Sequence, residues 1–197
     1  MNRNCGWVSV WLRGVAVAVS LLAISGCSRT VSWTEEVQLS NGQVIVVERE
    51  TEHSPGGPEL AIGTGWRPKQ YRIRIEYPPQ SGQTIEWRSE KLSPAKYPEF
   101  PLYLDYDEGV GGLFVVSIKS ISDSCDVYLK YVTRDLHWVE ETLPAEFESF
   151  ATNLYIPAAG LDIPRKVTLK IKWGDNSDFR YRKRLKQIGP KQKVCGA

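Results

Sequence analysis

Apolar and polar residues alternate at every second position along most of this chain, a period typical of strands that bury one face. The clearest case is residues 71–77, in which aromatic and aliphatic side chains alternate with charged ones. The same pattern predicts further strands at 31–39, 43–50, 84–88, 102–106, 113–119, 125–133, 137–143, 153–156, 167–173 and 179–185. Turn residues separate these segments, so we predict an antiparallel all-β sandwich of about ten short strands built from hairpins.

Three segments refine this prediction. Asn41-Gly42 separates the first two strands, and this dipeptide is the strongest short hairpin signal. The run from Leu113 to Val116 is apolar at every position, which predicts a central strand covered on both faces. Pro144 opens the segment 144–150, which we interpret as one helical turn because proline is tolerated at a first helical position.

The segment 54–69 contains seven glycine and proline residues, a density that excludes regular structure over most of its length. It is either a linker or a long surface loop. A linker would leave the first hairpin as a separate two-stranded domain, and an isolated hairpin is only marginally stable in water. We therefore expect a loop inside one all-β domain that spans residues 27–197.

Residues 1–26 have the parts of a secretory signal peptide. Arg3 and Arg13 supply positive charge, residues 14–24 are apolar, and small residues precede a candidate cleavage point. The apolar run is shorter than the roughly 20 residues that a bilayer-spanning helix needs. We therefore expect export followed by removal of this segment.

The sequence Ile24-Ser25-Gly26-Cys27 resembles the lipobox of bacterial lipoproteins. The resemblance implies that Cys27 receives a diacylglycerol, that the bond before it is cut and that its new amino group is acylated, because one acyl chain anchors only marginally. Ser28 replaces the Asp that favours inner-membrane retention. The expected location is therefore the inner leaflet of the outer membrane, facing the periplasm, with the inner membrane as the alternative. A conventional cut after Ser25, which would release a soluble protein, also remains open.

Two cysteines, Cys125 and Cys195, remain in the body of the chain once Cys5 and Cys27 are set aside. An even pair in an oxidising compartment predicts one disulfide between them. Such a bond closes a long loop and contributes about 4 kcal/mol in the chain-entropy estimate. Two unpaired thiols are the alternative.

Removing residues 1–26 takes away two arginines and no acids, so 23 basic residues face 23 acidic ones in the mature chain. The charge is unevenly distributed, because 165–193 holds eleven basic residues and two acidic ones. On a final hairpin of 167–173 and 179–185, one face would carry Lys170, Lys172, Arg180, Arg182, Arg184 and Lys186. Like charges across a ladder are unfavourable unless compensated. The compensating group is either an anionic lipid or acidic protein partner, or the net-acidic remainder of the domain. Nucleic acid is not an expected partner of an exported protein.

Tryptophans form a second group of candidates. Trp87 and Trp173 fall on the apolar faces of their predicted strands, where burial explains them. Trp66 lies instead in the Gly/Pro-rich segment beside Arg67. As an exposed loop aromatic it would contact a partner or a sugar ring, and the alternative is that the loop packs onto the core.

Signals for metal binding and catalysis are poor. The segment 105–109 begins like a calcium loop, but its glycine comes one residue early and Val116 occupies the position of the closing glutamate. His53 and His137 have no Cys or His at ligand spacing, and no nucleophile accompanies Asp135 and His137. We therefore predict turn and strand roles for these residues, and no metal or cofactor.

The segment from Cys27 to about residue 60 is similar to the start of uncharacterised proteobacterial lipoproteins, a likeness carried by Trp33, Glu35, Glu36, Val37, Leu39 and Gly42. That group implies no activity and no site residues. The sequence as a whole favours a lipid-anchored, non-enzymatic module that binds a protein or another envelope component. The alternatives are an envelope enzyme or enzyme inhibitor with an unrecognised site, and an inert structural protein.

Overall fold

The computed structural model describes residues 28–56, 65–78, 81–122, 125–143, 151–157 and 162–173. The predicted signal peptide, Cys27, the helical turn at 144–150 and the strand at 179–185 lie outside these residues. The described part contains nine strands and one short helix, and it confirms the predicted all-β, sandwich-like class.

The first sheet has five strands in the order β4-β3-β2-β1-β9. Its bounds are β1 Arg29–Gln38, β2 Val44–Pro55, β3 Trp66–Glu76, β4 Thr84–Arg88 and β9 Lys166–Val167. Strands β1 to β4 pair antiparallel with their neighbours, and β9 runs parallel to β1. Gly42 adopts a φ of 84° in the β1–β2 turn, which is why that turn needs glycine.

The second sheet has four strands in the order β5-β6-β7-β8. Its bounds are β5 Phe100–Asp107, β6 Gly112–Ser122, β7 Cys125–Arg134 and β8 His137–Glu141. All pairs are antiparallel, so this sheet is a meander of hairpins.

The main core lies between the two sheets. Ile73, Ile75 and Trp87 from the first sheet pack with Leu104 and Val115 from the second. A second cluster covers the other face of β6. The four residues from Leu113 to Val116 are all buried, and they alternate between the two clusters. This confirms the prediction of a central strand covered on both faces, and Trp87 is buried as predicted.

The two ends of the segment 54–69 differ from the prediction, and residues 57–64 lie outside the described residues. Strand β2 continues to Pro55 and β3 begins at Trp66, so both ends of the predicted loop belong to strands. A register shift beside Glu52 and His53 accommodates an extra residue in this ribbon. Proline is disfavoured inside a sheet, but Pro55 still pairs with Trp66 at this end of the β2–β3 ribbon.

The prediction of a strand over 167–173 is wrong after its first residue. Pairing with β1 ends at Val167, and Leu169–Trp173 forms the helix α1. The Thr168 hydroxyl accepts a hydrogen bond from Ile171 N at 3.3 Å, and the Glu36 carboxylate accepts one from Leu169 N at 3.0 Å. These two acceptors satisfy amides at the start of the helix, so tertiary contacts override the alternating pattern.

The strand predicted at 153–156 is also absent. Asn153 is buried and joins the two sheets through its side chain. Its Oδ1 accepts from Leu104 N at 2.9 Å, and its Nδ2 donates to Leu104 O at 2.7 Å and to Gln38 O at 3.1 Å. One amide side chain thus substitutes for a strand between β1 and β5.

Candidate functional site

A depression of about 370 Å³ lies on the outer face of the first sheet, and we call it the outer trough. The alternation of the strands places polar side chains there, because their apolar neighbours point into the core. Its lining comes from β1, β2 and β3 and from the residue before β9. The residues are Ser32, Thr34, Glu48, Glu50, Arg72, Arg74 and Arg165, with Trp33 and Arg49 between them in the strands.

Ion pairs join β2, β3 and β4 in and beside the outer trough. Arg72 donates from Nη1 to Glu50 at 2.5 Å and from Nη2 to Glu52 at 3.4 Å. Arg74 donates from Nε to Glu86 at 2.6 Å. Partial burial acts to raise the pKa of Glu86, but hydrogen bonds from Arg74 and Arg88 outweigh it and the pKa is lowered. These side chains are therefore charged and largely engaged with one another at neutral pH.

Two charged groups at the rim are open to solvent. The side chain of Glu48 is 67 % exposed and only approaches Arg74, at 4.0 Å. Arg165 is exposed, and its main-chain oxygen accepts hydrogen bonds from the Thr34 amide and hydroxyl at 2.9 and 3.4 Å. The rim of the trough thus presents two exposed charges of opposite sign, Glu48 and Arg165, above a polar floor.

Directly behind the trough, the inner face of the same strands carries a buried group of charges. Glu35, Arg49 and Lys172 are all at most 5 % exposed. Glu35 Oε2 accepts from Arg49 Nη1 at 2.9 Å and from the Trp33 indole at 3.3 Å. Glu35 Oε1 accepts from Tyr155 N at 2.5 Å and from Lys172 Nζ at 2.6 Å. One carboxylate therefore joins β1, β2, the 151–157 segment and α1.

Charge in this buried group is unbalanced, because one carboxylate faces two cations. Burial lowers the pKa of Lys172, although Glu35 acts in the opposite direction. Burial also lowers the pKa of Arg49, whose Nε and Nη2 find no hydrogen-bond partner in the part of the chain that the structure describes. The Arg49 guanidinium lies 5.2 Å from the centre of the Trp33 ring, a cation–π contact that offsets part of this cost.

Two further buried carboxylates have saturated hydrogen bonding. Glu99 accepts from the Glu90 and Lys91 amides and from the Ser117 and Tyr131 hydroxyls, at 2.5 to 3.0 Å. Asp105 accepts from the Ser40 and Tyr106 amides and the Tyr103 hydroxyl, at 2.6 to 3.0 Å. Burial and these carboxylates raise the pKa of Tyr103 and of Tyr131. Such groups hold loops and sheets together.

The predicted basic face is not formed as expected. Lys170 and Lys172 lie on α1 rather than on a strand, so they do not alternate onto one sheet face. Lys170 is exposed, whereas Lys172 is buried against Glu35 and donates to Asn153 O at 2.6 Å. Arg180, Arg182, Arg184 and Lys186 lie outside the described residues. The placement of Lys172 on a surface was wrong because an interior carboxylate binds its ammonium group.

Trp66 is not in a loop. It is the first residue of β3, pairs with Pro55 of β2 and is half-buried. The predicted disulfide joins Cys125 to Cys195. Cys125 is the first residue of β7, and Cys195 lies outside the described residues. The disulfide and the lipid on Cys27 stay predictions.

The residues weighed for metal binding and catalysis lie in strands and a turn. Asp107 Oδ2 accepts from Lys130 Nζ at 2.9 Å, and this bond lowers the pKa of Asp107. Asp135 lies in the β7–β8 turn with a φ of 48°, and His137 is the first residue of β8, as predicted. His53 lies in β2, and burial lowers its pKa. Among the described residues no cluster of three or more His, Cys, Asp or Glu side chains is arranged to hold a metal ion.

Sequence reasoning missed the buried charges, although the signal for them is visible. Glu35 and Arg49 occupy inner-face positions, between Trp33 and Val37 in β1 and between Val47 and Thr51 in β2. A charged residue within an otherwise apolar face predicts a buried ion pair. Their third partner, Lys172, is too distant in sequence to be found from the pattern.

Comparison with protein-family models, with curated proteins and with solved structures gives no match for this chain. Within the described residues, no helix has the length and apolar character needed to cross a membrane.

Proposed function

We propose that this protein is a lipid-anchored, non-enzymatic binding module of the bacterial cell envelope. The lipobox-like sequence 24–27 supports the anchor, with Cys27 as its attachment point. The residue after Cys27 favours the inner leaflet of the outer membrane, facing the periplasm.

The outer trough carries the proposal of a binding role. It is an open depression on a sheet face, with exposed charge of both signs at its rim. The buried carboxylates of the described residues already accept hydrogen bonds from within the fold. A surface of mixed charge is suited to a protein partner, because paired charges orient a partner and exclude wrong ones. The ligand class we favour is therefore an envelope protein with complementary charged side chains.

The hydrogen bonding of Glu35, Glu99 and Asp105 favours a binding role over a catalytic one. Each of these buried carboxylates accepts at least three hydrogen bonds from within the fold. A general acid or base needs a proton position that can reach a substrate. An enzyme acting through other groups is the alternative.

The anchor is tested by labelling cells with a fatty acid and fractionating them, with Cys27→Ala as the comparison. We expect wild-type protein to carry the label and to sediment with outer membranes, and Cys27→Ala to lose both properties. Label and membrane association that persist in Cys27→Ala would refute the anchor. Sedimentation with the inner membrane would refute the sorting assignment.

The binding face is tested with a photo-crosslinking amino acid at Ser32, inside the trough, in intact cells. The matched control carries the same amino acid at Asn41, in the exposed β1–β2 turn of the same sheet. We expect a discrete protein adduct from position 32 alone, and its loss when Glu48→Arg is added. Equal adducts from both positions, or none from position 32, would contradict a binding trough.

A further inference from the structure

The short connection between Cys27 and the sheet determines which end of the sandwich lies at the membrane. Strand β1 begins at Arg29, two residues after Cys27. Two residues span at most about 7 Å. If Cys27 is lipidated as proposed above, the Arg29 end of the first sheet lies at the headgroups, and the opposite end of β1 lies about 30 Å away.

At that same end the β2–β3 ribbon projects beyond β1. Arg29 pairs with His53, but β2 continues for two more residues, and Ser54 and Pro55 pair with Arg67 and Trp66. Two strand residues add roughly 7 Å, which equals the greatest reach from Arg29 to Cys27. The β2–β3 register therefore brings Trp66 and Arg67 as close to the membrane as the anchor itself.

The residues at this end have the composition of a membrane interface. Trp66 is a half-buried aromatic, and tryptophan is enriched where one side of the ring meets lipid and the other meets water. Arg29, Arg67 and Lys69 supply positive charge, and in this part of the first sheet Glu52 opposes it through its bond to Lys69 at 2.7 Å. Burial lowers the pKa of His53, so His53 adds no charge at neutral pH.

Distance decides which charges respond to the membrane. The Debye length is about 8 to 10 Å at physiological ionic strength, so charges on the first rungs of the ribbon lie within the field of anionic headgroups and those at the far end do not. We propose that the projecting β2–β3 ribbon, through Trp66 and Arg67 with Arg29 beside them, binds the anionic phospholipid surface next to the anchor. This contact holds the outer trough at a fixed orientation above the bilayer.

The experiment uses lipidated protein purified from membranes and reconstituted into vesicles of phosphatidylcholine and phosphatidylglycerol. Part of the phosphatidylcholine is brominated close to its headgroup, so that it quenches only tryptophans at the interface. Trp66→Phe reports the quenching due to Trp66. Trp138→Phe is the matched control, because Trp138 is also half-buried but pairs with Thr133 at the far end of the sandwich.

We expect Trp66→Phe to remove at least about threefold more of the quenching than Trp138→Phe does. Arg67→Glu is expected to reduce the quenching due to Trp66 at least about twofold with phosphatidylglycerol and little without it. Arg134→Glu, an exposed arginine at the far end, is the matched charge control. Equal losses for the two tryptophans, in protein that is lipidated and vesicle-bound, would overturn the lipid contact and leave the anchor standing. Protein that carries no lipid would overturn both.

Discussion

The side chain of Asn153 forms with Leu104 the pair of hydrogen bonds that a neighbouring strand would form, at 2.9 and 2.7 Å. A third bond, to Gln38 O at 3.1 Å, reaches the other sheet. Strands β1 and β5 are therefore joined at a point where no strand lies between them.

Asn153→Ala is expected to lower the free energy of unfolding by about 2 to 3 kcal/mol, because it removes the side-chain partners of the buried Leu104 N and O and of the partly buried Gln38 O. Urea denaturation measures this change. Asn41→Ala is the matched control, since the Asn41 side chain makes one bond, to Gln43 N at 2.9 Å, in an exposed turn. A loss at Asn153 no larger than at Asn41 would contradict the role given to this amide.

The buried charges make opposite predictions for two substitutions. Glu35→Gln removes the one carboxylate that faces both Arg49 and Lys172, and an uncompensated buried charge costs about 3 to 5 kcal/mol. Lys172→Met leaves the Glu35–Arg49 pair balanced, so its effect should stay within about 1 kcal/mol of wild type. Denaturant titration of both variants decides the matter. Equal destabilisation by the two substitutions would contradict the excess of positive charge in this buried group.

Lys172 also predicts a pH dependence. Its folded pKa is lowered by burial, whereas the unfolded chain keeps the ordinary value of 10.5. Between these two values the unfolded state binds more protons, so the free energy of unfolding should rise with pH in this window. Above about pH 10 the raised pKa values of Tyr103 and Tyr131 act in the opposite direction.

The measurement compares urea stability between neutral pH and pH 10 in wild type, Lys172→Met and Lys170→Met. The rise should be lost in Lys172→Met and kept in Lys170→Met, which alters an exposed lysine on the same helix. Retention of the rise in Lys172→Met would assign it to another group.

Gly112 is the first residue of β6 and lies close to Thr133 of β7. A Cβ atom added at Gly112 would lie 2.6 Å from Thr133 Oγ1 and 2.7 Å from Thr133 O. Gly112→Ala should therefore destabilise the protein by about 1 to 3 kcal/mol, because the two strands must separate. Gly109→Ala, whose Cβ would meet one side-chain oxygen at 3.3 Å, is the milder control in a thermal melt.

The predicted Cys125–Cys195 disulfide is tested by mass analysis without reduction, in protein recovered from the envelope. We expect one peptide that joins the two cysteines, and reduction should lower stability by about 4 kcal/mol. Two thiols that both react with an alkylating reagent would refute the bond.

Local pattern predicted most of the sheet strands because alternation reports directly which face of a strand is buried. The strand at 84–88 has the observed bounds, and the all-apolar run in β6 marked the central strand. The pattern failed at 153–156 and at 169–173, where contacts with distant residues decide the conformation. At these positions the Asn153 amide and the Lys172 ammonium bind groups on β1 and β5, and a local window contains none of those groups.

The candidate site, too, could be predicted from the sequence only in part. Glu35 and Arg49 are recognisable as charges on an apolar face, so strand alternation indicates their burial, but only the structure shows that they pair. Trp66 was predicted to lie in a loop, but it is the first residue of β3. Its place in the strand depends on main-chain pairing with Pro55, which is not visible in the side-chain pattern. The outer trough depends on the position of Arg165 beside β1, a relation between distant parts of the chain.

Glu35 also determines the order in which this chain can complete its fold. Its partner Tyr155 lies 120 residues further along the chain, whereas the hairpins of β1 to β4 close over short loops. Contacts of such separation form late, because loop closure has to precede them. The C-terminal segment is also synthesised last, so the Glu35 carboxylate on β1 lacks two of its partners until Tyr155 and Lys172 have been made. A chain truncated before residue 151 should therefore fold its hairpins yet remain prone to associate through the uncovered inner face.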